Sequence, residues 1–251
     1  MNQSIYIICQ IIVVLITFFL VAFTTYALRR AYLNMKMEMQ LQNQLIKWVF
    51  WGLIFWLFIQ WLLAYMGFYG KFDLLPPRIL VFALLPSVFL SISLLFSKKF
   101  TKILQHLPPK WLIQIQSFRI LMELMLWLGF IGGFVPFQMT FEGFNMDIIA
   151  GITALFAGFV FFGKKRFLRP ESIIWNIFGL FLLLNILFIA TISTPSPLQI
   201  FKNEPVNTFI AEAPFIWIPG FIVPFALAMH LFSLKQVVTI QNREVRTESR
   251  D

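Results

Sequence analysis

Cysteine and charged residues are both scarce in this chain of 251 residues. Its single cysteine, Cys9, can form no intramolecular disulfide, and it excludes a zinc or iron–sulfur site built from several cysteines. Asp, Glu, Lys and Arg make up only 12% of the residues, whereas a soluble domain has about 25%. Hydrophobic residues reach 59%. This composition argues against a soluble domain and predicts a protein whose outer surface is covered mostly by lipid.

The sequence motifs of common soluble enzymes are also absent. The chain has no phosphate-binding G-x-x-x-x-G-K-[ST] loop, no H-E-x-x-H zinc motif and no G-x-S-x-G nucleophile motif. Lys235 lies at the very end of the last apolar run, where it cannot form a retinal Schiff base. Of the two histidines, His106 falls in a loop, which argues against haem held by two histidines. The sequence therefore predicts no cofactor and no metal, and it favours a protein that is not an enzyme.

Seven apolar runs predict an all-α, polytopic transmembrane bundle. A membrane-spanning helix needs about 20 mostly apolar residues. A transmembrane barrel would show alternating segments of about 10 residues, but these runs are continuous. The first run has no preceding Lys or Arg and is too long for a signal peptide, so we expect it to be retained. The predicted spans are residues 5–28, 48–68, 79–96, 111–137, 148–162, 173–192 and 214–234.

Positive charges between the runs alternate from one gap to the next. The even-numbered gaps hold only Lys71, Arg78 and Lys202. The positive-inside rule then places the N-terminus outside and the C-terminus in the cytoplasm. We therefore expect one transmembrane domain, residues 1–236, and a polar cytoplasmic tail, residues 237–251. The odd-numbered gaps and the tail each hold four basic residues: Arg29, Arg30, Lys36 and Lys47; Lys98, Lys99, Lys102 and Lys110; Lys164, Lys165, Arg166 and Arg169; Lys235, Arg243, Arg246 and Arg250.

The net charge of +9 is explained by this topology, because the charges sit in short loops beside apolar runs. We therefore expect a lipid bilayer around the chain and no nucleic acid as a partner. The outward gaps carry several acidic residues, which could attract a cation. The plainer interpretation of the acidic character of these gaps is that they lack Lys and Arg, since acidic residues contribute little to topology.

The fourth span contains the one charged pair that lies well inside an apolar run, Arg119 and Glu123. Four residues apart, they share a helix face and can pair with each other, and Gln116 lies on that face too. Glu123 would lie about 18 Å from Trp111, near the middle of the membrane. Charges at that depth are costly and mark functional sites by default. The pair either contacts a substrate or carries a coupled proton, or it is an internal salt bridge that only fixes helix packing.

Other polar residues are predicted at similar depth. Gln60 and Asn185 lie near the middle of the second and sixth spans, where such side chains commonly hold helices together. His230, in the seventh span, is a satisfied core histidine, a partner of Glu123 or a metal or haem ligand. The same span contains Pro219 and Gly220, which predict a kink, or a break that exposes backbone to a substrate.

A polar cluster follows the fourth span on the predicted outer side. It consists of Gln138 together with Thr140, Glu142, Asn145 and Asp147. These side chains could line the mouth of a ligand site. They could equally form a capped turn in which Asn145 or Asp147 begins the fifth helix.

Two stretches of the chain are similar to a known family. They are FRILMEL with GFVPFQMTFEGFNMDIIAGITA, within residues 118–154, and NEPVNTFIAEAPFIWIPGFIVPFALAMHLFSLKQ, residues 203–236. They resemble an uncharacterised family of bacterial seven-helix inner-membrane proteins. The resemblance implies a bacterial cytoplasmic membrane and no particular substrate. The positions it emphasises are Arg119, Glu123, Thr140, Glu142, Asn145, Asp147, Glu204, Asn207 and His230.

Three functions remain open from the sequence. The first is binding or transport of a small molecule at a polar intramembrane site around Arg119 and Glu123, with His230, Asn185 and Gln116 as further candidates. The second is an accessory or assembly protein that docks a membrane protein partner and uses the Arg119–Glu123 pair structurally. The third is an intramembrane enzyme acting on lipid, for which Glu123, His230, Glu142 and Asp147 could be acid–base groups.

Overall fold

The computed structural model of this chain describes residues 1–162 and 169–248. The predicted basic residues Lys164, Lys165 and Arg166 lie outside the described residues, as do residues 249–251. Within the described part the chain is helical and contains no strand, which confirms the all-α prediction. Its helices are α1 Gln3–Asn34, α2 Met39–Tyr65, α3 Leu85–Phe96, α4 Lys98–Leu104, α5 Pro109–Gln114, α6 Phe118–Ile131, α7 Asp147–Phe161, α8 Arg169–Ser193 and α9 Val223–Glu248.

Six helical stretches are long and apolar enough to cross a membrane, which indicates a multi-pass membrane protein. They overlap six of the predicted spans, but the ends differ: the second predicted span begins at Trp48 whereas α2 begins at Met39, and the last ends at Leu234 whereas α9 continues to Glu248. The remaining prediction, the fifth span at residues 148–162, corresponds to α7, which has only 15 residues. The six stretches are Gln3–Asn34, Met39–Tyr65, Ile79–Phe96, Pro109–Ile131, Pro170–Ser193 and Ile218–Thr239.

The long helices run between two ends of a bundle. At the first end, the backbone N–H of Asn2 donates to the carbonyl of Gly132, so α1 begins where α6 has just ended. At the second end, the amide of Asn34 donates to the carbonyl of His106, so α1 ends beside the segment that follows α4. These two contacts define the first and the second end of the bundle.

α7 extends through only part of the bundle. Its 15 residues make about 22 Å of helix, against about 30 Å for the hydrocarbon core of a bilayer. Its small residues pack directly on the preceding helices: a side chain at Gly151 would meet the backbone nitrogen of Ile120 at 2.9 Å, and one at Gly158 would meet the carbonyl of Lys110 at 3.0 Å. α7 therefore lies against residues 110–120 and leaves α6 without this neighbour toward the first end.

Residues 132–146, called here the descending segment, fill the place that α7 leaves free. The predicted fourth span continues to Phe137, but α6 ends at Ile131 and the chain turns back along it. The backbone groups of the descending segment bond to one another; for example, the N–H of Asn145 donates to the carbonyl of Thr140. Irregular backbone at membrane depth is tolerated where protein buries it. The descending segment thus carries polar side chains from the first end into the interior.

The predicted irregularity at Pro219 and Gly220 is a π-helical stretch, Ile218–Ile222, which packs on a second π-helical stretch, Ile79–Leu84. Helices α2 and α3 bond to its freed backbone: Trp56 and Ser87 both donate to the carbonyl of Gly220, at 2.9 and 2.7 Å. Gln60 donates to the carbonyl of Phe82 at 3.1 Å. Gln60 therefore holds neighbouring elements together, as predicted for a polar side chain at this depth.

Tyr69 completes this contact at the first end of the bundle. Its hydroxyl donates to Oε1 of Gln60 at 2.6 Å. Burial raises the pKa of Tyr69 to about 12, so the hydroxyl remains a donor even in alkaline conditions in which an exposed tyrosine would ionise.

Candidate functional site

An ion pair between Arg119 and Asp147 lies at the centre of the candidate site. Nε of Arg119 donates to Oδ2 of Asp147 at 2.6 Å, and Nη2 donates to Oδ1, so the contact is two-pronged. Such fork-like contacts are the strongest that arginine makes with a carboxylate. The prediction that Arg119 pairs with Glu123 along one helix is therefore wrong: the ion pair joins α6 to the first residue of α7.

His230 of α9 extends the network from the other side of Arg119. Nη1 of Arg119 lies 3.1 Å from Nε2 of His230, and Nδ1 of His230 lies 3.0 Å from Oδ1 of Asn176. Because arginine only donates, Nε2 accepts and the protonated Nδ1 donates to Asn176. The Asn176 amide in turn donates to the carbonyl of Ser172 and the hydroxyl of Ser233. His230 is thus a satisfied core histidine, and its partners do not include Glu123.

Glu123 meets the descending segment instead. The amide of Asn145 donates to Oε2 of Glu123 at 2.6 Å and to the carbonyl of Met139 at 3.0 Å. Oδ1 of Asn145 accepts from the backbone N–H of Asp147 in a turn just before α7, whose capping residue Met146 makes no side-chain bond. Asn145 therefore connects the carboxyl group of Glu123 to the residue that pairs with Arg119.

The buried charges of this cluster do not balance. Asp147 offsets Arg119, whereas no Lys, Arg or His in the described part of the chain lies within the 4.0 Å ion-pair distance of Glu123. The side chains are also closed to solvent: Arg119 and Glu123 are each 2% exposed and His230 is fully buried. A second carboxyl group therefore sits in a dry interior with an amide, and not a cation, as its bonded partner.

Two local features of the sequence let these side chains meet. Gly179 of α8 lies against the imidazole of His230, where an added Cβ would stand 2.3 Å from Cε1, and its carbonyl lies 3.5 Å from Nη2 of Arg119. At the tip of the descending segment, Gly143 lies so close to Phe137 that a Cβ would be 2.4 Å from that carbonyl oxygen. Glycine is favoured at both positions by close approach and not by a left-handed backbone conformation.

The remaining predicted site residues are placed around this cluster or away from it. Gln116 is buried and donates to the carbonyl of Ala226 at 2.9 Å, and Asn185 donates to the carbonyl of Phe144 at 2.8 Å. Thr140 is buried but bonds locally, to the carbonyl of Phe137. Glu142 is exposed. The predicted outer mouth is therefore divided, because Asn145 and Asp147 enter the interior cluster and Glu142 does not.

Sequence reasoning missed two sets of polar contacts, although Gln138 itself belonged to the predicted outer cluster. Asn176 and Ser233 support His230, and their position inside apolar runs was the available signal. Nearer the first end, the amide of Gln138 donates to Ser193, while Asn203 donates to Oε1 of Gln138, both at 2.9 Å. This second set attaches the descending segment to the segment between α8 and α9.

Open space adjoins other parts of the molecule. A cavity of about 180 Å³ at the first end is lined by Tyr6, Glu204 and Glu212, among others. A larger one of about 380 Å³ lies between α1, α2 and the start of the last span, and Gln10 and Trp217 contribute to it. Neither is lined by a residue of the Arg119 cluster, which consists of Arg119, Glu123, Asn145, Asp147, Asn176 and His230. Among the residues that the structure describes, no group of three His, Cys, Asp or Glu side chains is arranged to hold a metal ion.

One family model matches the chain. It covers residues 76–238 and is described as a domain of unknown function (DUF8737). The matched stretch contains every residue of the Arg119 cluster. No curated protein and no solved structure matches the chain.

Proposed function

This chain belongs to the family described as a domain of unknown function (DUF8737), and we propose that it is a membrane protein that binds or transports a small molecule through the cluster around Arg119 and Glu123. In this proposal seven helices lie in a bacterial cytoplasmic membrane, with the N-terminus outside. The alternation of basic residues along the chain supports the orientation. α7 and the descending segment together make one crossing.

The unbalanced carboxyl group of Glu123 carries the proposal. A buried carboxylate without a cation in direct contact is costly, and the cost is removed by binding a proton or a cation. Glu123 therefore holds a proton in the closed state. Intramembrane carboxyls of this kind form the proton relays of transporters. Release of that proton, together with displacement of Asn145, would open the cluster to a solute arriving from the first end.

An infrared measurement tests the proton directly. In purified protein we expect a carbonyl band of a protonated carboxylic acid that Glu123→Gln removes and Glu142→Gln leaves in place. Glutamine can still accept the bond from Asn145, so we expect the melting temperature of Glu123→Gln to stay close to that of the wild type. A wild-type spectrum without this band would contradict the proposal.

Transport is tested in proteoliposomes that enclose a pH-sensitive dye. Sugars, amino acids and organic acids are added outside one at a time, and the pH of the lumen is recorded. We expect at least one solute to drive a pH change in the wild type and in Glu142→Gln, but not in Glu123→Gln. If no solute has an effect and Glu123→Gln melts far lower than the wild type, the cluster is structural.

A structural cluster would favour the second function, an accessory or assembly protein. The observation behind it is that Nε, Nη1 and Nη2 of Arg119 all have acceptors within the cluster. A stoichiometric membrane protein that co-purifies from native membranes, and is retained by Glu123→Gln, would support this function. The third function, an intramembrane lipid enzyme, lacks such an observation, because neither Glu123 nor His230 lines either of the two cavities described above.

A further inference from the structure

A corner of positive charge forms where α3 meets α4 at the second end of the bundle. Lys98, Lys99 and Lys102 of α4 are exposed. Lys235 of α9 reaches the same place, since its ammonium group donates to the carbonyl of Leu95 at 2.8 Å. These four residues are called here the lysine corner. It was not predicted from the sequence, because Lys235 joins the three lysines of α4 only in the folded chain.

The lysine corner is held rigidly. Ser97 ends α3 in an extended conformation, and its hydroxyl accepts from the N–H of Phe100 at 3.2 Å, so the chain changes direction between the two helices. The ring of Phe100 packs on Phe232 of α9 with 4.6 Å between centroids. Gln236 of α9 also donates to the carbonyl of Leu107 at 2.7 Å. α4 is thus anchored by its apolar side, and its lysines remain on the outside.

No carboxylate neutralises these ammonium groups within the described residues, where the one ion pair joins Arg119 to Asp147. A cluster of four positive charges at the end of a membrane helix favours an anionic partner. Each ammonium group is a compact donor that binds phosphate oxygens well. Charge complementarity therefore indicates a phosphate-bearing partner.

An apolar stripe leads along α3 to the lysine corner. Its residues follow one another at helical spacing of three or four, so they share one face of the helix. All are exposed, up to 74% at Phe89 and 82% at Phe96. The stripe consists of Leu85, Phe89, Ile92 and Phe96. A free anion would gain nothing from contact with this apolar surface, whereas the hydrocarbon chain of a lipid can pack on it.

We propose that the lysine corner and the stripe on α3 form a binding site for an anionic phospholipid. The phosphate lies at Lys98 and Lys99, and an acyl chain runs along the stripe. The site is separate from the Arg119 cluster, so the proposal does not depend on the function proposed for that cluster. It requires only that α3 lies in a bilayer.

Native mass spectrometry of the full chain in detergent tests the proposal, with phosphatidylglycerol and phosphatidylcholine of the same acyl chains as probes. We expect wild-type protein to bind phosphatidylglycerol more tightly. Lys98→Gln/Lys99→Gln should weaken that binding by about tenfold or more, because two charges at the headgroup are removed. Lys71→Gln/Lys202→Gln removes the same charge from exposed positions in other loops and should leave binding unchanged.

The other outcomes overturn the proposal. Equal binding of the two lipids would show that charge is not recognised. Equal losses in both double variants would show a response to net charge and not a site. Displacement of phosphatidylglycerol by millimolar inorganic phosphate would indicate a soluble anion instead of a lipid. If the Lys98/Lys99 variant does not fold, Lys99→Gln and Lys102→Gln singly should each produce a smaller loss of the same kind, and unchanged binding in both would overturn the proposal.

Discussion

Arg119 shows how a buried charge selects its partner. Its position inside an apolar run was sufficient to predict that it must be paired, since an isolated charge there is costly. The identity of the partner could not be predicted, because the nearest carboxyl group along the helix, Glu123, bonds to Asn145 instead. Asp147 lies 28 residues away in sequence and reaches Arg119 only because the descending segment turns back into the bundle.

The first prediction at this scale concerns Asp147→Asn. The substitution leaves Arg119 buried without its hydrogen-bonded counter-charge, and breaking one half of a buried ion pair costs about 3–5 kcal/mol. We expect a large drop in the free energy of unfolding, measured by thermal or detergent denaturation. Glu142→Gln, which alters an exposed carboxylate in the same stretch of sequence, should have little effect.

A double variant tests whether Asp147 stabilises the fold mainly by compensating the buried charge of Arg119. Arg119→Met/Asp147→Leu removes both charges together, so neither remains uncompensated, and replacing a buried pair by apolar residues is often neutral. We expect the double variant to be more stable than Asp147→Asn alone. A double variant that unfolds as easily as the single one would contradict the view that the ion pair is the main contribution of Asp147.

At the scale of the elements, hydropathy predicted where helices occur. It did not predict how far the segments between helices enter the interior of the bundle. The six long stretches were found because a window of about 20 residues records their composition. The descending segment was missed since its residues are partly apolar and its fold depends on contacts such as that of Gly143 with Phe137. Asp147 was accordingly predicted at the outer surface and is instead buried within the bundle.

Gly179 gives a prediction about how α8 packs on α9. An alanine there would place its methyl group 2.3 Å from the imidazole of His230, so either the ring or the helix must move. We expect Gly179→Ala to lower the melting temperature and to disturb the bond between His230 and Arg119. Gly52→Ala is the matched control, because Gly52 has no atom within 4 Å of an added Cβ. Equal melting temperatures of the two variants would show that α8 and α9 adapt without cost.

At the scale of the whole molecule, the sequence pattern and the contacts agree on which segments share an end of the bundle. The pairing of Asn2 with Gly132 places α1 and α6 as the alternating charges require, and the pairing of Asn34 with His106 does the same at the other end. Charge alternation is a property of the entire chain, so it could be read without any tertiary information. The lysine corner could not be predicted in this way, because it forms only when Lys235, which is distant in sequence, contacts the end of α3.

The orientation itself is tested by labelling two lysine positions at opposite ends of the bundle. In a Cys9→Ala background, Lys202→Cys and Lys99→Cys each provide one exposed thiol in a loop or short helix. We expect a membrane-impermeant maleimide to label the cysteine at 202 in intact cells, and the cysteine at 99 only after the membrane is opened, because the end with the denser positive charge stays inside. The reverse pattern would invert the topology. The lysine corner would then face the outer leaflet, and Glu123 would exchange its proton with the cytoplasm instead of the outside.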